Sequence, residues 1–350
     1  MPGVGLPPLE QNLPPIVLRN YAKWVDHEEV RPGVLKHVAE SGEECYTVRA
    51  GMPTNARVST VLARRIADLA DDFAGGHLRF TRRHSLELVG VDPARIDELI
   101  ERLRGLGLPV GGTGRTFRNT VSCTGWIHCQ FAATDAPAVA KAISDELYED
   151  FLTERYPAKL KISISGCVNQ CGEGSTADIG IVGIHRDLPR VIDEEVARCE
   201  IPLIVSVCPT GAIRPKPPKS VQVDPERCIH CVACAAPCQG MQIGDPDTDG
   251  LAIVVGGKAG NSGAGPAFAK FVIPYLPNTP PRWPEVTRAV RQIVEVWVKG
   301  ARRDERIGDW IARIGWDKFF QKAGLPMSDK LLDGYVLWPM SARTGVRFHW

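Results

Sequence analysis

The cysteines are the feature that most restricts how this chain can fold. The sequence has 11 of them, and nine lie in close groups between Cys123 and Cys238, while Cys45 and Cys199 stand apart from these groups. The first residues lack the basic-then-apolar pattern of a signal peptide, so we expect a cytoplasmic protein. Because disulfides rarely persist in that compartment, thiols grouped so closely indicate ligands of a soft metal.

The tightest group is "CIHCVAC", residues 228–234. Its C-x2-C-x2-C spacing suits three corners of an iron–sulfur cubane, whereas structural zinc usually draws its ligands from two separated pairs. In bacterial ferredoxins the fourth cysteine of such a run binds a different cluster, so the missing ligand must come from elsewhere. "CPTGAI" (208–213) supplies it. We predict one [4Fe–4S] cluster, with zinc as the alternative, on Cys208, Cys228, Cys231 and Cys234.

A second cluster in this segment is not expected. The positions that would hold its ligands, at three-residue steps before Cys208, are instead Ile204, Ile201 and Arg198. Cys238 is therefore left without a predicted ligand role. Cys45 and Cys199 are expected to pack as small hydrophobic residues. A ferredoxin-type segment relays electrons and has no substrate of its own, so it must serve a second centre.

Two further cysteine pairs lie upstream. "CTGWIHC" places Cys123 and Cys129 six apart, and "CVNQC" places Cys167 and Cys171 four apart. The strand-like "KLKISIS" (159–165) leads into the second pair. Alternation along a strand puts its two lysines on one face, which predicts a basic surface directed at these cysteines.

The combination C-x5-C and C-x3-C resembles the cluster signature of the sirohaem sulfite and nitrite reductases. Three other stretches match that family in the same order, namely "RFTRR" (79–83), "FRNTVSC" (117–123) and "KLK" (159–161). The amino-terminal region, "DIGIVGIHRDLP" (178–189) and "YLPNTPPRWPEVTRAVRQIVEVW" (275–297) resemble the beta subunits of dissimilatory sulfite reductases. The chain is identified as a member of that family over nearly its whole length.

The resemblance implies a second [4Fe–4S] cluster on Cys123, Cys129, Cys167 and Cys171, with the Cys171 thiolate bridging to the sirohaem iron. Sirohaem carries many carboxylates and sulfite is an anion, so both need cations and hydrogen-bond donors in a pocket of low dielectric. The implied catalytic residues, which would bind sulfite oxygens and deliver protons, are Arg83, Arg118, Lys159 and Lys161. The implied sirohaem contacts are Arg79, Thr81, His128 and Lys258.

The activity implied is the six-electron interconversion of sulfite and sulfide. The implied partners are an alpha subunit, in an α2β2 assembly, and a small cysteine-tailed sulfur-carrier protein. A net charge of +1 gives no reason to expect nucleic-acid binding, and no apolar stretch suits a membrane span. The alternatives are a sirohaem nitrite reductase, the anaerobic type of sulfite reductase, and an iron–sulfur electron-transfer subunit without sirohaem.

The chain departs from many beta subunits of the family. In those, a threonine replaces the first cysteine of C-x5-C, a Cys-Cys doublet replaces Gly166–Cys167, and the K-x-K lysines are commonly lost. Here the full set is present. The chain could therefore hold a working cluster and also supply basic residues to its partner's sirohaem, so we expect both sites of the dimer unit to be catalytic.

The fold class predicted is α+β. The pattern from residue 45 to residue 105 reads strand, helix, strand, strand, helix, which is the split βαβ order of a ferredoxin-like domain. We predict five parts: an extended arm (1–40), the ferredoxin-like domain (41–110), a sirohaem/[4Fe–4S] domain (111–205 and 249–324), an inserted bacterial-type 4Fe–4S ferredoxin domain (206–248), and a carboxy-terminal interface arm (325–350).

Overall fold

The computed structural model describes residues 5–261, 263–328 and 331–332. These form two compact units, the first made of residues up to 120 together with 147–160, and the second of 121–146 and everything from 161 onward. In the described residues each unit contains one five-stranded sheet flanked by helices. The predicted α+β class is confirmed.

The strands, in chain order, are β1 (Trp24–Arg31), β2 (Val34–Ala39), β3 (Glu44–Ala50), β4 (Leu78–Phe80), β5 (Leu86–Val91), β6 (Val121–Ser122), β7 (Ile162–Ser165), β8 (Ile179–Ile184), β9 (Arg190–Val191), β10 (Ile213–Lys216), β11 (Ser220–Val223), β12 (Met241–Gln242), β13 (Gly250–Val255) and β14 (Lys270–Pro277). The helices are α1 (Pro15–Arg19), α2 (Thr60–Ala74), α3 (Ile96–Gly105), α4 (Ala136–Glu146), α5 (Tyr148–Leu152), α6 (Asp193–Val196), α7 (Ile201–Ser206), α8 (Pro284–Gly300), α9 (Ile307–Ile314) and α10 (Trp316–Ala323).

The first unit has the predicted strand–helix–strand–strand–helix order in β3, α2, β4, β5 and α3. Its antiparallel sheet runs β1-β2-β3-β5-β4. The Ser59 side chain caps α2 by accepting a hydrogen bond from Leu62 N–H at 3.1 Å, and Gly75 ends the helix in a left-handed conformation. The apolar stripes of α2 and α3 then pack on β5 as one buried core.

The region predicted to be an extended arm contains β1 and β2 instead. β1 reads "WVDHEEVR" and is largely exposed, so it lacks the apolar alternation by which a strand is recognised. It is held by the backbone ladder to β2 and by an ion pair between Lys36 on β2 and Glu28 on β1. A strand stabilised in this way leaves no hydrophobic period in the sequence.

The second unit is built on a sheet in the order β14-β13-β8-β7-β6, in which β6, β7 and β8 are parallel. β8 pairs directly with β13, although residues 185–249 separate them. That intervening segment, here called the insert, forms its own small sheets, β9 with β12 and β10 with β11. The chain thus leaves the main sheet after β8 and returns to the adjacent position.

Three helices lie near the carboxy terminus of the described residues: α8, α9 and, directly after Gly315, α10. Further upstream, α4 and α5 are separate helices with Leu147 between them. Most of the predicted arm at 325–350 lies outside the described residues. Among the described helices, none combines the length and the apolar character that crossing a bilayer requires.

Candidate functional site

The first two cysteine pairs lie at one edge of the second unit's sheet. Cys123 follows β6 directly, and Cys167 comes two residues after β7, which runs parallel to β6. Because the carboxyl ends of adjacent parallel strands meet at the same edge, the two loops converge. The backbone N–H of Gly166 donates to Cys123 Sγ at 3.0 Å, which ties one loop to the other.

The four thiols of these loops interact electrostatically. Burial, and after it the charges of the other three thiols, raise the pKa of Cys167 to about 11. Burial also raises the pKa of Cys123, with Cys171 and Cys129 adding to the effect. The structure therefore places the four predicted thiols within electrostatic range of one another. We name it the sheet-edge centre: Cys123, Cys129, Cys167 and Cys171.

The sheet-edge loops pack so closely that they need glycine at two positions. Gly125 has φ +53°, and a Cβ there would lie 2.7 Å from Ala136 N. A Cβ at Gly172 would lie 1.9 Å from the carbonyl oxygen of Ile164, the third residue of β7. Neither contact is tolerable for a larger residue, so Gly125 sets how near its loop approaches α4, and Gly172 sets how near its loop approaches β7.

The second predicted set lies within the insert. Cys208 follows α7, and it lines one pocket together with Cys228, Cys231 and Cys234. His230 and Val232, the residues beside Cys231, both have left-handed backbones, with φ +52° and +61°. Such strained conformations are typical of functional loops. We name this set the insert centre: Cys208, Cys228, Cys231 and Cys234.

Hydrogen bonds and burial at the insert centre are those expected around cluster sulfurs. Burial, followed by the charges of the other three thiols, raises the pKa of Cys234 to about 12. Burial acts the same way on Cys208, but hydrogen bonds from Thr210 and from nearby backbone N–H groups outweigh it and lower the pKa of that thiol. Ala212 N–H lies 3.2 Å from Cys208 Sγ.

Both centres fit a [4Fe–4S] cluster by the chemistry of their donors. Each offers four thiols, and backbone N–H groups donate to the sulfurs of both, which is a means by which proteins tune cluster potentials. Buried thiols with raised pKa values ionise when a metal binds, so metal binding would be coupled to proton release. The two ligand sets stay predictions.

Cys199 and Cys238 form a disulfide, which corrects the expectation for Cys199 and gives a role to Cys238, for which the sequence predicted none. Cys238 is buried in the insert's core near Val196 and Met241, and its Cα lies 5.9 Å from that of Cys199. The residue that ends the ferredoxin-type run therefore pairs with the cysteine expected to be an inert hydrophobe. Their separation of 39 residues left no local signal of the pairing.

His185 and Asp249 form a buried pair that the sequence reasoning missed. His185 Nδ1 lies 2.9 and 3.0 Å from the two carboxylate oxygens of Asp249, and Nε2 lies 3.2 Å from the carbonyl oxygen of Phe131. Burial lowers the pKa of His185, but the hydrogen bond and charge of Asp249 outweigh it, and the net shift is upward. His185 also lines the pocket of the insert centre.

Three of the predicted catalytic residues lie in the first unit, on segments that are joined by hydrogen bonds. Arg83 Nε donates to the carbonyl oxygen of Asn119 at 3.0 Å, and the Asn119 side chain donates back to Arg83 O at 3.0 Å. Arg118 N–H donates to the carbonyl of Leu160 at 2.9 Å, beside the exposed Lys159. The first unit therefore places Arg83, Arg118 and Lys159 near one another along paired segments.

Lys161, the fourth predicted catalytic residue, is positioned by a buried ion pair in the second unit. Its backbone N–H donates to Asp178 Oδ2 at 2.8 Å. Asp178 is fully buried and receives two hydrogen bonds of 2.8 Å from the guanidinium of Arg306, at the start of α9. Both carboxylate oxygens are thereby used, and the chain at Lys161 is held in place.

Two predicted sirohaem contacts already have carboxylate partners in the chain. Lys258 is 2% exposed, and its Nζ lies 2.6 Å from Asp309 Oδ1. Arg79 lies 3.0 Å from Glu87 but keeps a largely exposed side chain. A cofactor carboxylate would have to compete with Asp309 for Lys258, whereas Arg79 has an accessible face.

The other two predicted contacts differ in their surroundings. Thr81 stabilises the turn between β4 and β5, because its Oγ1 accepts a hydrogen bond from Ser85 N–H at 3.0 Å. His128 is exposed in the sheet-edge loop, with its ring nitrogens 3.3 and 3.4 Å from Thr124 Oγ1. Only His128 of this pair belongs to a cysteine-bearing loop.

Comparison with known proteins shows the class of protein to which the chain belongs. Residues 113–331 match the nitrite and sulphite reductase 4Fe-4S domain, and residues 37–106 match the nitrite/sulfite reductase ferredoxin-like half domain. The beta subunit of dissimilatory-type sulfite reductase from Archaeoglobus fulgidus is 42% identical, over 99% of this chain and 97% of that protein. The corresponding subunit from Nitratidesulfovibrio vulgaris is 41% identical, over 97% and 94%. The chain belongs to the family of dissimilatory-type sulfite reductase beta subunits, as predicted.

A solved structure shares the fold. The crystal structure of dissimilatory sulfite reductase I superposes with a TM-score of 0.81 at 22% identity, covering 88% of this chain and 78% of that one. Membership of the family implies binding of iron–sulfur clusters and sirohaem.

Proposed function

We propose that the chain acts as the beta subunit of a sulfite reductase and interconverts sulfite and sulfide by a six-electron reaction at sirohaem. The observation that carries this proposal is the convergence of two cysteine pairs at one sheet edge, in a chain closely related to dissimilatory-type beta subunits. The relatives' names, which specify a beta subunit, support assembly with an alpha subunit, for which we propose α2β2.

Each cysteine centre would hold one [4Fe–4S] cluster, and the Cys171 thiolate would bridge the sheet-edge centre to sirohaem. When bound, these groups accept and pass on single electrons. Cys171 is exposed, as a thiolate shared with a second group must be. The insert centre would receive electrons and pass them toward the sheet-edge centre.

The basic residues would bind the anions and supply protons. Arg83 and Arg118 offer planar guanidinium groups suited to oxyanions, while Lys159 and Lys161 offer ammonium groups able to donate protons. Arg79, Thr81, His128 and Lys258 would contact the sirohaem periphery. A small cysteine-tailed sulfur-carrier protein would be a further partner of the subunit.

The cofactor proposal is tested on anaerobically purified protein by metal analysis and visible spectroscopy. We expect about eight cluster irons per chain, from two clusters, and a chlorin-type band beyond the iron–sulfur absorption. Zinc in place of iron would contradict both cluster assignments. Clusters without the chlorin band would indicate an electron-transfer subunit, and a kcat/KM higher for nitrite than for sulfite would indicate a nitrite reductase.

The roles of the two lysines are tested by Lys159→Ala and Lys161→Ala. Loss of a positioned proton donor lowers turnover by roughly 100-fold or more. We expect reduced sulfite turnover per sirohaem in both variants, with Lys219→Ala, an exposed lysine of the insert, as the matched control. Unchanged rates in both variants would remove these lysines from the site and would also remove the reason to expect two catalytic sites per dimer unit.

A further inference from the structure

His185 connects the two cysteine centres within the second unit. It follows β8 directly, where the chain leaves the sheet for the insert. One side of its environment is the insert pocket, which it lines together with the four thiols of that centre. On the other side, Nε2 meets the carbonyl oxygen of Phe131, two residues after Cys129 of the sheet-edge centre, at 3.2 Å.

The partners of His185 define its protonation and its orientation. A carboxylate and a carbonyl oxygen are acceptors only, so the nitrogen facing each must carry a proton. The ring is therefore an imidazolium that donates through Nδ1 to Asp249 and through Nε2 to Phe131. With both nitrogens engaged and the side chain 4% exposed, the ring has one orientation.

We propose that His185 is a positioning residue that fixes the sheet-edge loop against the insert and carries the electronic coupling between the two centres. This rests on the proposed function, since it needs a cluster at each centre. With a cluster at each centre, one electron from a low-potential one-electron donor would enter at the insert centre and pass to the sheet-edge centre. No bond forms or breaks, and His185 keeps both of its protons.

The route consists of contacts already described. It runs from the pocket wall through the imidazolium, across one hydrogen bond to Phe131, and then along two residues of chain to Cys129. Asp249 lies outside this route and serves to hold the ring. We therefore expect the contact with Phe131 to determine the rate of electron transfer between the two centres. We expect the contact with Asp249 to determine the stability of the folded chain.

Two isosteric variants separate these contacts. The amide nitrogen of glutamine reaches the place of histidine Nε2, so His185→Gln keeps a donor toward Phe131. The amide nitrogen of asparagine reaches the place of Nδ1, so His185→Asn keeps a donor toward Asp249 and loses the link. Should either variant fail to fold, His185→Leu combined with Asp249→Leu removes the link without leaving a buried charge.

The experiment follows electron transfer in the anaerobic holoenzyme by rapid-freeze EPR after photoreduction of a viologen dye. The insert-centre signal is identified as the one lost in Cys208→Ser. We expect iron content and EPR line shapes to stay unchanged, His185→Gln to transfer at nearly the wild-type rate, and His185→Asn and the double leucine variant to be several-fold slower. Equal rates in all variants would overturn the inference while leaving the proposed function intact. A wild-type chain lacking two cluster signals would instead overturn the proposed function.

Discussion

Cys123 Sγ accepts a hydrogen bond from the backbone N–H of Gly166, 43 residues further along the chain, at 3.0 Å. The bond joins the loops that follow the parallel strands β6 and β7, and it holds the two cysteine-bearing loops close together. The geometry of the sheet-edge centre therefore depends on backbone packing around β7 as well as on its four cysteines. Substitutions that disturb only the backbone should also disturb metal binding.

Gly172→Ala should reduce the iron bound at the sheet-edge centre. The added Cβ would lie 1.9 Å from the carbonyl oxygen of Ile164, so the loop carrying Cys171 must move. We expect cluster iron per chain to fall by about half, because the insert centre is untouched. Gly260→Ala is the matched control, since a Cβ there meets nothing within 4 Å. Full iron content in Gly172→Ala would show that the loop adapts.

Cys238→Ser should destabilise the insert through loss of its disulfide. Closing a loop of 39 residues restricts the unfolded chain, and in the loop-entropy account this is worth on the order of 3–4 kcal/mol. Denaturant unfolding followed at the insert-centre absorption measures the loss. Cys199→Ser and the double variant should match Cys238→Ser, because all three remove the same bond. Additive losses would mean that the two cysteines act separately.

Arg306→Met should lower the free energy of unfolding by about 3–5 kcal/mol, because Asp178 would remain charged and fully buried without its partner. Arg306→Met combined with Asp178→Leu should recover part of that loss. Arg303→Met, which changes an arginine with a 77% exposed side chain, should have little effect. A double variant no more stable than Arg306→Met would show that Asp178 is needed chiefly for its hydrogen bond to Lys161 N–H.

The His185–Asp249 pair should make stability depend on pH. The pKa of His185 is raised in the folded chain above its ordinary value of 6.5. The stabilisation is therefore complete below pH 6.5 and is lost as pH rises through the higher folded pKa. The free energy of unfolding is measured against pH for the wild type and for His185→Leu combined with Asp249→Leu. As pH rises, the wild type should lose stability relative to the double variant. A wild type that gains stability relative to the double variant over this range would contradict the assignment.

Local pattern was enough to predict much of this protein. Helical periodicity predicted α2 and α3, because each buries one apolar stripe. Cysteine spacing and the family resemblance gave two sets of cluster ligands, which stay predictions. Such signals are readable because the residues concerned lie close together in the chain or repeat at the period of their own element. The charged strand β1 carries no such period, which is why it was missed.

What only the tertiary structure decided are pairings between distant residues. The parallel alignment of β6 with β7 determines that the two upstream cysteine pairs meet, and the pairing of β8 with β13 brings His185 near Asp249, 64 residues away. The same holds for Asp178 with Arg306 and for Cys199 with Cys238. Each contact depends on the order of the strands or on the packing of a buried core. The spacing of neighbouring residues in the sequence predicts neither the strand order nor the core packing.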